Sequence, residues 1–135
     1  MILVDTPVWS LALRRKADDL TAGERRHTQV LYHIIDEGRA ELLGPVRQEL
    51  LSGLREERQF RRLRNYLRDF PDARVSMGDY EEAARASNQC RRAGISASPV
   101  DMLLCAVAIH HDWEIFTSDR DFVHYQSVLK IRLLG

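Results

Sequence analysis

Short apolar runs alternate along this chain with longer stretches whose apolar positions recur at helical spacing. The segments predicted as strands are residues 1–4, 41–43, 74–77, 114–117 and 131–134, and the first of them is an unbroken apolar run. Unbroken apolar runs favour parallel strands that are buried on both faces of a sheet. Strands that alternate with helices predict an α/β fold with a mainly parallel sheet of four to five strands.

The sequence between the predicted strands contains residues typical of helix starts and ends. Thr6 and Pro7 have the composition of an N-cap and a first helical residue, and Thr21 with Glu24 has the spacing of a capping box. Further helices are predicted over residues 45–53, 60–67, 80–92 and 99–109. The last of these is apolar on all sides, which predicts a position at the centre of the domain.

Composition and charge restrict the classes of function. Lys and Arg together number 20 and so do Asp and Glu, so the chain lacks the overall basic charge of many nucleic-acid binders. Cys90 and Cys105 have no metal-binding spacing and favour a reducing compartment. Asp5 interrupts the first apolar run too early for a signal peptide, and no run is long enough to span a membrane. These features predict one cytoplasmic domain, without a membrane, over residues 1–135.

Four acidic residues occupy positions where α/β domains usually carry their chemistry. Asp5 ends the first strand and Asp119 follows the fourth, so parallel strands would bring both to one edge of the sheet. Asp101 begins the most apolar helix, where a carboxylate needs a partner or a metal ion. Glu49 lies beside the apolar stripe of the helix that Pro45 opens. If these acids converge they need a compensating positive charge, which Mg²⁺ supplies to oxygen ligands.

Two of the acids are equally consistent with a structural role when each is taken alone. Asp101 is three residues after Ser98 and would complete a capping box as readily as it would serve a site. A solvated glutamate is the usual explanation for a single residue such as Glu49. Only the set of four acids, taken together, favours chemistry.

For the other two acids, neighbouring residues are predicted to provide the helix caps. Thr6 is expected to cap the first helix, and Ser118 with Asp121 the short helix after the fourth strand. This interpretation leaves Asp5 and Asp119 without a capping role, although helix ends are hard to place to within a residue or two.

Four segments of the chain, taken in order, match a known pattern. They are residues 3–9 (LVDTPVW), 45–53 (PVRQELLSG), 98–101 (SPVD) and 116–122 (FTSDRDF). In order and spacing they resemble the PIN domain family, and most closely the VapC toxins of VapBC toxin–antitoxin pairs. The resemblance extends over essentially the whole chain and implies a single three-layer α/β/α domain, residues 1–135.

The resemblance also implies a metal site and its supporting residues. It implies a catalytic pocket that binds Mg²⁺, or Mn²⁺ in its place, through Asp5, Glu49, Asp101 and Asp119. Thr6, Thr117 and Asp121 correspond to residues that assist by orienting these acids. Pro7 departs from the pattern, because relatives often have serine there, so one hydroxyl of the pocket is absent while the metal ligands are unaffected.

A local surplus of arginine indicates how a polynucleotide would bind. Residues 55–68 contain six arginines against two glutamates, a charge that can follow a phosphate backbone but that also occurs on solvated helix faces. The arginines predicted to contact RNA are Arg55, Arg58, Arg61 and Arg62. The resemblance implies cleavage of RNA of the tRNA or rRNA class, a homodimer, and a cognate VapB-like antitoxin.

The predicted function is therefore a Mg²⁺-dependent endoribonuclease that acts as the toxin of a type II toxin–antitoxin system. The alternative is a catalytically silent PIN-like module that binds RNA or a protein, and the complete set of acids argues against it. Other α/β phosphate enzymes fit poorly. A dehalogenase-type site needs Asp-x-Asp after the first strand, and a nucleotide site needs a glycine-rich loop, and this chain has neither.

Overall fold

The computed structural model describes residues 1–135, and its strands form one sheet in which every neighbouring pair is parallel. The strands are β1 (Ile2–Val4), β2 (Ala40–Glu41), β3 (Glu114–Phe116) and β4 (Arg132–Leu133). Their order across the sheet is β2-β1-β3-β4, so the two most apolar strands are central. The predicted α/β class with a parallel sheet is confirmed, with four strands.

Seven α-helices complete the three-layer α/β/α arrangement. They are α1 (Thr6–Leu13), α2 (Ala22–Asp36), α3 (Gly44–Leu51), α4 (Glu57–Leu67), α5 (Met77–Arg92), α6 (Pro99–His111) and α7 (Asp121–Gln126). The capping box of Thr21 and Glu24 is present, and α2 stops before Gly38, whose φ of 68° suits a residue without a Cβ. None of the helices combines the length and the hydropathy that a bilayer crossing would need.

The predicted third strand, residues 74–77, is wrong. Ser76 is instead the N-cap of α5, because its hydroxyl accepts from Asp79 N (3.1 Å) and its own N–H donates to the Asp79 carboxylate (2.9 Å). This capping box takes backbone groups that a strand would need for pairing. The sheet-like pairing in this region is a single parallel bridge between Leu42 and Asp72.

Two predicted helix starts are also wrong. The N-cap position of α1 belongs to Asp5, whose Oδ1 accepts a hydrogen bond from Thr6 N at 2.8 Å. The N-cap position of α7 belongs to Arg120, which makes no side-chain capping bond, and Asp119 accepts a hydrogen bond from Asp121 N at 2.9 Å. Asp5 and Asp119 therefore both bind the N–H group of the first residue of a helix. A carboxylate has two oxygens, however, so capping through one leaves the other for further partners.

Helix α6 passes through the core, as its apolar sequence predicts. Every residue from 102 to 108 is buried, and the helix packs against α5. Asp101 immediately precedes this buried stretch and is itself partly buried. Its carboxylate therefore lies at the boundary between the core and solvent, where the removal of water begins to matter.

Candidate active site

The two central strands bring Asp5 next to Thr117. Val4 pairs with Phe116 at the ends of β1 and β3, and Asp5 N donates to Phe116 O at 2.9 Å. The Asp5 carboxylate then accepts two hydrogen bonds of 2.8 Å, from Thr117 Oγ1 to Oδ2 and from Thr6 N to Oδ1. Asp5 is only 4% exposed, so both oxygens are held in place in a desolvated environment.

The turn after β3 places two more carboxylates. Thr117 Oγ1 accepts from Asp119 N at 3.0 Å, and Asp119 Oδ1 accepts from Asp121 N at 2.9 Å. One threonine hydroxyl thus links Asp5 to the turn that holds Asp119. This link connects residues at the carboxyl ends of neighbouring parallel strands, which is the edge where α/β proteins form their sites.

Asp101 enters the site from the N-terminus of α6. Ser98 caps that helix, with Oγ accepting from Asp101 N at 3.1 Å. The Asp101 carboxylate does not return to the Ser98 backbone. Its Oδ2 instead accepts a hydrogen bond from the Tyr125 hydroxyl at 2.8 Å. The capping-box interpretation of Asp101 is therefore incorrect, and its carboxylate points into a polar network.

Glu49 is connected to the group more loosely. It is exposed on α3, and its Oε2 accepts a hydrogen bond from Thr6 Oγ1 at 2.8 Å. The charges that act on Asp5 are those of Asp101 and Asp119. Asp101 and Asp119 therefore lie near enough to Asp5 for their charges to act on it, and Glu49 is linked to Asp5 through Thr6, whose N–H binds Asp5 and whose hydroxyl binds Glu49.

The electrostatics of the site are those of an uncompensated acidic cluster. Burial, with a smaller contribution from the charges of Asp101 and Asp119, raises the pKa of Asp5 to about 6, although hydrogen bonds from Thr117 and Thr6 oppose the shift. Burial likewise raises the pKa of Asp101, and the charges of Asp119 and Asp121 add to it. No ion pair in the structure includes any of these acids or Glu49.

This donor set fits a hard divalent cation. No three or more His, Cys, Asp and Glu side chains are arranged to hold a metal ion together as the side chains stand. Mg²⁺ does not require such a cage, because it usually binds one or two carboxylates and keeps several waters. Oriented carboxylates without a neighbouring cation are what such an ion needs, and Asp5 and Asp101 provide them.

A cleft of about 590 Å³ opens beside Asp101 and Asp121, while Asp5, Glu49 and Asp119 do not line it. Its walls include the segment 94–98, together with Asp101, Asp121, His124 and Tyr125. The space is therefore directly accessible from Asp101, and it is large enough for part of a polymeric substrate.

The arginines at the start of α4 and just before it form a separate, exposed surface. Arg55, Arg58, Arg61 and Arg62 are all exposed, and none of them forms an ion pair. Arg62 also lines a pocket of about 340 Å³ between α1 and α4, together with Arg14. Because no carboxylate neutralises them, these guanidinium groups are available to an external anion.

The sequence analysis did not identify Tyr125 as a residue of the site. A tyrosine in a short helix is usually a core side chain, and Tyr125 is indeed 1% exposed. Its one informative feature is that a buried phenol needs a hydrogen-bond acceptor. Nothing local in the sequence indicates that the acceptor is Asp101, which lies 24 residues earlier.

The raised pKa of Asp5 predicts that metal-free protein loses stability as the pH rises. Burial raises the pKa of Asp5 from its ordinary value of 3.8 to about 6 in the folded state. The protonated carboxyl of Asp5 therefore contributes its full stabilisation of the fold below about pH 3.8, and this stabilisation is lost as the pH rises through about 6. This loss is expected to be about 2–3 kcal/mol. Asp101 acts in the same direction.

Denaturant unfolding in EDTA measures this effect when wild type is compared with Asp5→Asn, which mimics the protonated carboxyl. The stability of the variant relative to wild type is expected to increase between pH 4 and pH 7. A difference that stays constant over this range would contradict the ionisation argument.

The comparisons with known proteins agree with the fold. The family model of the PIN domain matches residues 2–127, so this chain belongs to the PIN domain family. PIN domains are generally nucleases, typically with divalent metal ions. No curated protein sequence matches the chain.

Three solved structures illustrate the similarity of fold. A chain of the FitAcB structure from Neisseria gonorrhoeae has a TM-score of 0.73 at 19% identity, with 100% of this chain and 97% of that chain covered. A chain of VapBC2 from Rickettsia felis, bound to a DNA fragment from its promoter, has a TM-score of 0.74 at 15% identity and coverages of 99% and 98%. A chain of a toxin–antitoxin complex from Klebsiella pneumoniae has a TM-score of 0.68 at 19% identity, with 90% of each chain covered.

Proposed function

We propose that this protein is a cytoplasmic, metal-dependent endoribonuclease that acts as the toxin of a type II toxin–antitoxin system. The observation that carries the proposal is the group of Asp5, Asp101 and Asp119 at the carboxyl edge of a parallel sheet. The charges of Asp101 and Asp119 contribute to the raised pKa of Asp5, that of Asp119 contributes to the raised pKa of Asp101, and none of the three acids forms an ion pair. A bound cation would offset the desolvation and the mutual repulsion of these carboxylates, which is why such an arrangement is typical of a metal site.

Asp5 and Asp101 would hold Mg²⁺ or Mn²⁺, with Asp119 and Glu49 completing the acidic wall. When bound, such an ion supplies the positive charge that activates water and stabilises a phosphodiester transition state. Thr117 holds the Asp5 carboxylate through its hydroxyl, and Thr6 holds Glu49 in the same way. Asp121 contributes its N–H, which fixes Asp119. Pro7 adds no hydroxyl, so Thr6 and Thr117 provide this support.

RNA would be bound by four arginines in and just before α4. Arg55, Arg58, Arg61 and Arg62 are exposed and unpaired, and guanidinium groups pair bidentately with phosphate oxygens. Their surplus is local, which explains how a chain of zero net charge can bind a polyanion. The resemblance to VapC toxins supports an RNA substrate of the tRNA or rRNA class.

The proposed partners are a VapB-like antitoxin and a second copy of the chain. Support for the antitoxin is that chains of the same fold occur in structures described as VapBC2, FitAcB and a toxin–antitoxin complex. The homodimer rests on the resemblance to VapC toxins. Both are testable by co-purification and by measurement of the mass in solution.

The central experiment is RNA cleavage by the purified chain with Mg²⁺, with Mn²⁺ and with EDTA. Cleavage that requires metal and leaves 5′-phosphate and 3′-hydroxyl ends is expected. Cleavage that EDTA does not diminish would contradict the proposal. Intact RNA together with measurable RNA binding would instead favour the silent binding module.

A further inference from the structure

Tyr125 combines a rigid position in the core with a hydroxyl in the acidic site. Its ring is 1% exposed and packs edge-to-face on Phe122, with ring centroids 5.0 Å apart and an interplanar angle of 71°. From this fixed ring the hydroxyl reaches Asp101 Oδ2 at 2.8 Å. A phenol held by packing has little freedom to move, so the direction of its hydrogen bond is fixed as well.

The contact belongs to a pattern in which hydroxyl groups hold the acids of the site. The hydroxyl–carboxylate pairs, each at 2.8 Å, are Thr117–Asp5, Thr6–Glu49 and Tyr125–Asp101. A neutral hydroxyl orients a carboxylate and leaves its negative charge intact. An arginine or lysine in the same place would neutralise that charge and compete with a metal ion.

If the Tyr125 hydroxyl needed only a hydrogen-bond partner, many different acceptors would satisfy it. A backbone carbonyl also satisfies a phenol and carries no net charge; the hydroxyl of Tyr32, a tyrosine that is 44% exposed, donates to Ala12 O at 3.1 Å. Tyr125 instead uses one oxygen of a half-buried carboxylate that other acids already repel. That hydrogen bond restrains Oδ2 of Asp101, the Ser98 side chain also interacts with this carboxylate, and no hydrogen bond of normal geometry is made to Oδ1.

We propose that Tyr125 is a positioning residue that orients the Asp101 carboxylate for binding a divalent metal ion. The inference rests on the proposed metal-dependent function. It adds a residue that acts on the ion only through Asp101. A hydrogen bond from outside the ligand shell typically changes metal affinity by about 10- to 100-fold.

The test is Tyr125→Phe, which keeps the buried ring and removes only the hydroxyl. Mn²⁺ binding, followed by the EPR signal of the free ion, is expected to weaken about tenfold. RNA cleavage should fall at low Mg²⁺ and recover at saturating Mg²⁺, because the variant loses affinity for the ion and keeps the reacting groups. Unchanged Mn²⁺ affinity in a folded Tyr125→Phe variant would overturn the inference.

Two further variants separate this inference from the proposed function. Tyr32→Phe also removes one tyrosine hydroxyl, but this hydroxyl bonds only a backbone carbonyl, so the variant should leave Mn²⁺ affinity unchanged. Asp101→Asn should weaken Mn²⁺ binding strongly, and adding Tyr125→Phe to it should cause no further loss. If Asp101→Asn has no effect, the proposed metal site fails. If it acts and Tyr125→Phe does not, only the inference fails.

A measurement on the wild-type chain covers the case in which Tyr125→Phe does not fold. With 3-fluorotyrosine at the four tyrosines, the ¹⁹F resonance of Tyr125 is expected to shift on addition of Mg²⁺, whereas that of Tyr32 should not. An unmoved Tyr125 resonance at a Mg²⁺ concentration that supports cleavage would overturn the inference.

Discussion

Replacing Asp5 or Asp101 by asparagine is expected to lower the rate of RNA cleavage by at least about 100- to 1,000-fold. Each substitution keeps the size of the side chain and removes one negative charge from the site that is proposed to hold the ion. Asp5 is held by Thr117 and Thr6, so the loss would come from charge and ligand chemistry and not from a displaced side chain. Single-turnover cleavage of a labelled RNA measures the effect.

A matched control for this prediction is Asp18→Asn, which removes an aspartate charge from an exposed site without ion pairs. This variant should cleave RNA like wild type. Thermal unfolding verifies that the inactive variants are folded, and metal-free Asp5→Asn is expected to be at least as stable as wild type near neutral pH, since its buried charge is gone. Equal cleavage by Asp5→Asn, Asp101→Asn and wild type would refute the proposed catalytic site.

Replacing Trp9 by alanine is expected to destabilise the fold by about 3–5 kcal/mol. Trp9 is completely buried, its indole N–H donates to Val4 O at 3.1 Å, and its ring packs edge-to-face on Phe70 with centroids 5.1 Å apart. The loss is comparable to the whole stability of a small domain. Because Val4 directly precedes Asp5, the same substitution loosens the end of β1 that carries the site.

Denaturant unfolding followed by circular dichroism measures the Trp9 prediction. Trp9→Phe retains an aromatic ring but loses the indole N–H, and it should cost less than the alanine variant. Trp113→Ala is the second control, because Trp113 is only partly buried and stacks on His111 near the surface. A loss below about 1 kcal/mol for Trp9→Ala would contradict the core position of this residue.

The sequence predicted well those elements that depend on local pattern. β1, β3 and β4 follow from short segments rich in apolar residues, and α6 follows from the long apolar run that begins after Ser98 and contains no glycine. Predictions failed where two local patterns compete for the same backbone. Residues 74–77 read as a strand, but Ser76 and Asp79 form a capping box, and helix capping took the backbone groups.

The helix caps show the same competition at the site itself. Thr6 and Ser118 are good capping residues by type, yet Asp5 and Asp119 bind the first N–H groups. Hydroxyls and carboxylates can both cap, so residue type alone does not decide between neighbours. Thr6 and Thr117 are engaged elsewhere, because each hydroxyl donates to a carboxylate from another part of the chain.

By itself the sequence determined the α/β class, the order of its elements apart from the strand wrongly predicted at residues 74–77, the sheet edge at which Asp5 and Asp119 follow their strands, and the family. These follow from periodicity and from motif order, which are properties of neighbouring residues. Only the tertiary structure decided which acids meet and what holds them. Thr117 and Asp5 are 112 residues apart, and Tyr125 and Asp101 are 24 apart. Such contacts form only when the chain packs into its folded core. The same packing removes water from Asp5 and so raises its pKa.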